Sequence, residues 1–206
     1  MKIKKIKKIK NNSKRYDIHV SIDNNFFAND ILVHNCTMYN DNIHARSLDS
    51  QFANHPSRDY IKGIWGRIKY LIPENTRICG ENLYAIHSIE YTDLEDYFQI
   101  FSIWFDDVCF SWDDTKQKAK HMGLKTVKEI YRGIYDEEMI KNLDIGDSEG
   151  YVIRIADEFH HDFHDELFFG PMAKYVRKNH VQTNEHWLRS WNKTKINKLK
   201  NKMENQ

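Results

Sequence analysis

Residues 77–105 read RICGENLYAIHSIEYTDLEDYFQIFSIWF, and the two ends of this stretch decide the fold. Arg77–Ile86 and Tyr97–Phe105 are dense in aromatic and β-branched residues, which predicts a strand in each. On the C-terminal side, Val108–Trp112 predicts a third strand. Asp113 or Asp114 then caps a helix to about Met122, ended by Gly123. Asp136–Leu143 predicts a short helix with acids in its first turn. Gly150–Ala156 (GYVIRIA) and Met172–Arg177 (MAKYVR) predict two more strands, and Glu185–Trp191 begins a last helix. On the N-terminal side, Ser57 is the expected cap of a helix opened by Pro56. Its apolar stripe is Ile61, Ile64, Trp65, Ile68 and Leu71, and Pro73 stops it. Thr37–Ser50 (TMYNDNIHARSLDS) predicts a hairpin about Asn40-Asp41-Asn42. Helices interleave irregularly with strands, so the expected class is α+β rather than a doubly wound sheet.

Composition bounds the function. The chain has 206 residues, 40% of them hydrophobic and 13% aromatic, enough for one medium domain and a small appendage. No transmembrane run or signal peptide is evident, and no membrane partner is expected. Three cysteines, Cys36, Cys79 and Cys109, form no paired framework and no C-x-x-C, which suits a reducing cytoplasm. Cys79 and Cys109 read as small buried hydrophobes. Charge is uneven: residues 1–35 carry eight basic and three acidic side chains, residues 36–192 carry 18 and 26, and residues 193–206 carry five and one. The acidic middle excludes a general nucleic-acid coat. The Lys-rich tail reads as a solvated, frayed end before it reads as a phosphate contact.

Three strands carry an acid or a base in apolar settings. Glu81 follows Cys79-Gly80, Glu149 introduces GYVIR, and Lys174 lies in MAKYVR. Two carboxylates and a Lys converging from different strands suit a nucleotide with a divalent metal, because Mg²⁺ takes one or two carboxylates plus phosphate oxygens. A Lys supplies a point charge for phosphate. Neither a Walker-type loop nor G-x-G-x-x-G occurs, which excludes P-loop and Rossmann sites. HHDFHDE (His160, His161, His164 with Asp162, Asp165 and Glu166) has the spacing of a Zn²⁺ pair on a helix, and is read here as a solvated loop.

The N-terminal stretch carries a second chemistry. Tyr16, Ile18, Val20 and Ile22 alternate with polar residues as in a strand, and Ile31-Leu32-Val33 delivers His34-Asn35-Cys36. An imidazole, a carboxamide and a thiol in sequence suit cleavage of the Asn–Cys bond by succinimide formation. YDIHVSIDNNFFANDILVHN followed by Cys resembles the C-terminal portion of an intein, the self-excising protein element. By that likeness His34 is the penultimate His, Asn35 the terminal Asn, Cys36 the first residue of the downstream extein, and Asp17 the acid that helps activate it. Asn24 stands where the family usually has a His. Only 35 residues precede Cys36, too few for the N-terminal splicing motifs, so the resemblance implies a split intein with this chain as its C-terminal half. The basic start, MKIKKIKKIKNNSKR, would steer it towards an acidic partner fragment. Read alone, KIKKIKKIK also fits a nucleic-acid or membrane-surface patch.

Residues 37 to about 191 resemble an RNA ligase of the covalent nucleotidyltransferase superfamily. The matching words, in order, are TMYNDNIHARSLDS, ICGENLYA, YFQIFSIW, EGYVIR, AKYVR and HVQTNEHW. The likeness implies a ligase domain of ATP-grasp-like type, with antiparallel sheets and flanking helices, that uses ATP and Mg²⁺ on RNA. It implies nucleotide contacts from Arg46, Glu81 (ribose), Glu149 (metal) and Lys174 (AMP phosphate), with Phe101 or Trp104 beside the adenine. His180 and His186 either touch the substrate phosphate or pack. The superfamily's nucleophilic Lys lies in a K-x-D-G motif, and this sequence contains no Asp-Gly at all. An intein stands where that motif belongs.

The expected organisation is therefore a C-intein fragment (1–35), a ligase domain lacking its nucleophile (36–192) and a Lys-rich tail (193–206). The expected partner is an N-terminal half carrying the K-x-D-G lysine. Two alternatives stand beside it: a non-catalytic nucleic-acid-binding protein with a degenerate ligase fold, and a capping or DNA-joining enzyme of the same superfamily.

Overall fold

The computed structural model describes residues 17–18, 27–28, 35–44, 56–86, 89–160, 171–177 and 195–200. The chain divides into two compact units, residues 1–33 and 34–206. In the first, β1 (Asp17–Ile18) pairs antiparallel with β2 (Phe27–Ala28), with Asp17 opposite Ala28.

The second unit is built on a mixed sheet. Its strands are β3 (Asn35–Met38), β4 (Ile43–His44), β5 (Thr76–Asn82), β6 (Phe98–Phe105), β7 (Val108–Cys109), β8 (Lys125–Thr126) and β10 (Phe159–His160), the last numbered after β9 below. The order is β10-β7-β6-β5-β3-β4, with β8 alongside β6 in parallel and every other pairing antiparallel. The expected hairpin forms about a turn in which the Tyr39 N–H donates to Asn42 O at 2.8 Å; its end, residues 45–50, lies outside the described residues. β9 (Gly150–Arg154) and β11 (Met172–Val176) form a separate antiparallel pair. The α+β class holds.

Helices cover one face of the sheet. α1 (Pro56–Ile68) buries Ile61, Ile64 and Ile68, and α2 (Trp112–His121) buries Ala119, against Cys36, Met38, Ile78, Phe98, Ile100 and Ile103. Several sequence expectations are corrected. Ser57 is a buried residue inside α1, not its cap. Leu71 falls in a 3-10 turn (Lys69–Leu71) and is 51% exposed, so it leaves the buried stripe. α2 is capped by Ser111, whose hydroxyl accepts from the Asp114 N–H, rather than by Asp113 or Asp114. The third strand ends at Cys109, because Trp112 already belongs to α2. The short helix α3 (Glu137–Lys141) is capped by Asp136.

The Lys-rich tail is not a frayed end. Residues 195–200 are tied to the segment after β5: Ile86 N–H donates to Lys195 O (3.0 Å), Asn197 N–H to Tyr84 O (3.0 Å) and Lys200 N–H to Leu94 O (2.7 Å). Isolated bridges join Ala85 to Ile196 and Leu94 to Leu199. The charged heads point outward while the backbone supplies the ladder bonds, so lysine content misleads here.

Gly80 is required by packing. A Cβ there would overlap the ring of Phe98, which is fully buried, and would lie 2.9 Å from the Gln99 carbonyl oxygen. Gly80→Ala is expected to destabilise the domain by ~1–3 kcal/mol, read as a lower urea midpoint at unchanged slope.

Candidate functional site

The face of the sheet opposite the helices carries the chemistry. Residues alternate along β5, so Arg77, Cys79 and Glu81 share that face while Ile78 and Gly80 join the helix-side core. The pairing between β5 and β6 slips between Cys79 and Gly80: Cys79 faces Ser102, Gly80 faces Ile100 and Glu81 faces Gln99. Phe101 is left as the extra residue of a bulge, a device that re-aims a side chain at an edge or site. It is half-buried and packs on Cys79, Trp104, Cys109 and Phe159.

The β9–β11 pair is anchored over this face. Met172 packs into the same cluster. Arg154 crosses from β9, donating to Phe110 O (2.7 Å) and Phe101 O (3.3 Å), with Cys109 Sγ at 3.6 Å. Its guanidinium lies 5.3 Å from the Phe159 ring centroid. Lys174 sits in the middle of β11, opposite Val152. Glu149 immediately precedes β9, and the Arg177 N–H donates to its carbonyl at 3.0 Å. The Arg177 guanidinium reaches the carbonyls of Gly146 (3.5 Å) and Asp147 (3.3 Å).

These anchors bring three sequence-predicted residues together. Burial pushes the Glu81 carboxyl above its ordinary range, the Lys174 charge opposes that shift, and the Glu149 charge adds to it. Glu81, Glu149 and Lys174 therefore share one electrostatic neighbourhood across the two sheets. Lys174 is exposed and Glu149 half-buried, so the cleft is open on that side. A mutually repelling carboxylate pair that is partly desolvated fits a divalent cation whose remaining ligands come from a substrate. Among the described residues no three acidic, His or Cys side chains converge as a self-contained metal cage. A cavity of ≈ 510 Å³ lies elsewhere: Ile78, Ile103, Phe110 and Met122, part of or packed against the helix-side core, line it.

Of the two candidate rings, Trp104 is committed to the core. It is 5% exposed, donates from Nε1 to Ser102 Oγ at 3.0 Å, stacks under Arg77 at 4.7 Å and meets Phe159 edge-on at 5.6 Å. Phe101 keeps a partly open ring on the face of Glu81.

Tyr91 belongs to the same neighbourhood and carries no sequence signal. Burial pushes its phenol up to about 12, the charge of Glu149 adds to the shift, a hydrogen bond from the Glu149 backbone opposes it, and Glu81 and Arg177 act more weakly in opposite directions.

Arg46, His34, His180 and His186, the loop 161–170 and the expected last helix lie outside the described residues. Asp17 is placed by its backbone alone, in β1. Asn35 and Cys36 are consecutive residues of β3, with Asn35 opposite Glu81 and Cys36 opposite Gly80. Cys36 is 4% exposed. Burial pushes its thiol up to about 12, against a lowering by Arg58 and a hydrogen bond from Asn82.

The sign of that shift sets a pH dependence. The folded chain holds the Cys36 proton more tightly than the unfolded chain, so stability is full below about pH 9 and falls as pH rises towards 12. At pH 8, alkylation of Cys36 is expected to be on the order of 10³-fold slower in the folded chain than in urea. Equal rates in mass-spectrometric mapping would refute the buried placement.

Residues 29–176 match the family model described as RNA ligase. The chain belongs to the RNA ligase family. No curated protein and no solved structure shows significant similarity to it. The RNA ligase match begins seven residues ahead of Cys36, and so takes in His34 and Asn35 as well as the ligase strands. Nothing in the comparisons marks an intein segment. Among the described residues no helix of this RNA ligase is long and apolar enough to cross a membrane.

Proposed function

We propose that residues 36 to about 192 form most of an ATP-dependent RNA ligase domain whose nucleophilic lysine is supplied by another polypeptide. The observation that carries this reading is the convergence of Glu81, Glu149 and Lys174 on one cleft, in a family member whose sequence has no Asp-Gly and hence no K-x-D-G. In this reading Lys174 holds the AMP phosphate, Glu81 the ribose, and Phe101 lies beside the adenine. Arg46 adds a further nucleotide contact. Glu149, with Glu81 behind it, holds Mg²⁺, which when bound supplies charge neutralisation at the phosphates. The lysine attacks the α-phosphorus of ATP, pyrophosphate leaves, and AMP passes to an RNA 5′-phosphate before a 3′-hydroxyl displaces it.

The lysine is absent because residues 1–35 are the C-terminal half of a split intein. Its N-terminal half, on a chain ending near K-x-D-G-E, passes an acyl group to Cys36 sulfur. Asn35 then cyclises with help from His34, and an S-to-N shift closes the new peptide bond, with Asp17 assisting at Cys36. Support for this half of the reading is the sequence run alone.

The test is intact mass after incubation with ATP and Mg²⁺. The 206-residue chain is expected to gain no AMP, and the same chain with residues 1–35 exchanged for a ligase segment ending K-x-D-G-E is expected to gain one. Covalent AMP on the unaltered chain would overturn the missing-lysine reading. Tight RNA binding with no AMP uptake in either form would favour a non-catalytic binding protein. Sealing of nicked DNA in preference to RNA would move the substrate class.

A further inference from the structure

We propose that Tyr91 donates its hydroxyl to an oxygen of the bound nucleotide, and that Asn197, in the C-terminal segment, is the positioning residue that holds it there. The inference rests on the nucleotide site proposed above and adds to it a residue from each of two segments outside the family words.

Asn197 is 2% exposed although it lies in the most lysine-rich part of the chain. Every polar group it owns is used on one short segment. Its Oδ1 accepts from the Tyr91 N–H at 2.8 Å, and its Nδ2 donates to Leu83 O at 2.8 Å and Ala85 O at 3.2 Å. Its own N–H donates to Tyr84 O at 3.0 Å, and its carbonyl accepts from Tyr97 Oη at 3.0 Å. The Lys198 N–H closes the ring by donating to Tyr91 O at 2.8 Å. A buried amide satisfied on both ends is worth much more than a surface contact, because removing it strands several backbone groups. This staple fixes the backbone of Tyr91 on both its amide and its carbonyl.

The phenol thus held lies in the field of Glu149, Glu81 and Arg177. The hydrogen bond from the Glu149 backbone uses a phenol lone pair. The O–H stays protonated at neutral pH and is directed at an acceptor. Sugar and phosphate oxygens of a nucleotide share that acceptor chemistry.

The experiment titrates the 206-residue chain with AMP in the presence of Mg²⁺, by calorimetry, and repeats it with adenosine. Tyr91→Phe, which keeps the ring, is expected to weaken AMP binding about tenfold at unchanged melting temperature. Asn197→Ala is expected to weaken it as much, and the double variant no further than the worse single one. Loss on AMP alone assigns the phosphate, and equal loss on adenosine assigns the sugar. Wild-type affinity in Tyr91→Phe, or additive losses in the double variant, would overturn this inference and leave the nucleotide site standing. No AMP binding by the wild-type chain would sink the nucleotide site and this inference with it.

Discussion

Alanine at Glu149 is expected to abolish AMP transfer in the ligase rebuilt with its lysine, lowering kcat/KM for adenylylation by on the order of 10³, about 4 kcal/mol of transition-state stabilisation. The size follows from where the carboxylate sits. Its backbone is pinned independently of its side chain, through the Arg177 N–H on its carbonyl and the Arg177 guanidinium on Gly146 O and Asp147 O. The variant therefore loses charge and ligand oxygens without losing the start of β9. Glu149→Gln keeps the shape and removes the charge, so it is expected to fall nearly as far, whereas a packing residue would tolerate it. The comparison to make is single-turnover AMP uptake against Mg²⁺ concentration. A loss that raising Mg²⁺ partly restores fits the metal role, and full activity in Glu149→Ala would remove Glu149 from the site. Melting temperature should move little, because Glu149 is half-buried and outside both core clusters.

How far the sequence carried this site differs residue by residue. Strand-forming residues on either side of Glu81 and around Lys174 made β5 and β11 legible, and β6 was read to within one residue. The burial of Trp104 was not legible, because period-2 alternation fails at a bulge. Phe101 and Ser102 fall out of step with Gln99, and no residue type announces the slip. β8 escaped notice because two residues, Lys125 and Thr126, hold no periodic signal. The tail was misread for a different reason. Composition reports side chains, and what ties residues 195–200 down is backbone pairing plus one amide. Tyr91 enters the site through that same long-range contact, 106 residues away in sequence.

The second large effect concerns position 35. If the chain is a splicing precursor, mixing it with its N-terminal half releases a fragment of residues 1–35, and Asn35→Ala abolishes that release because no carboxamide remains to attack the scissile carbonyl. The structure adds a condition on when this happens. In β3 the Asn35–Cys36 bond is part of a strand paired to Glu81 and Gly80, and Cys36 lies in the core with its thiol pushed up to about 12. A thiol held protonated among Ile, Met and Phe side chains is a poor acyl acceptor. The closed ligase sheet and the splicing-competent chain are thus two conformations of the same residues. Release should then be faster for chain freshly diluted from urea than for chain allowed to fold first, with the gap set by how often β3 leaves β5. Mass spectrometry of timed samples measures both. Release at the wild-type rate in Asn35→Ala would end the splicing assignment. Equal rates for folded and freshly diluted chain would keep splicing but contradict the exclusion between the two states.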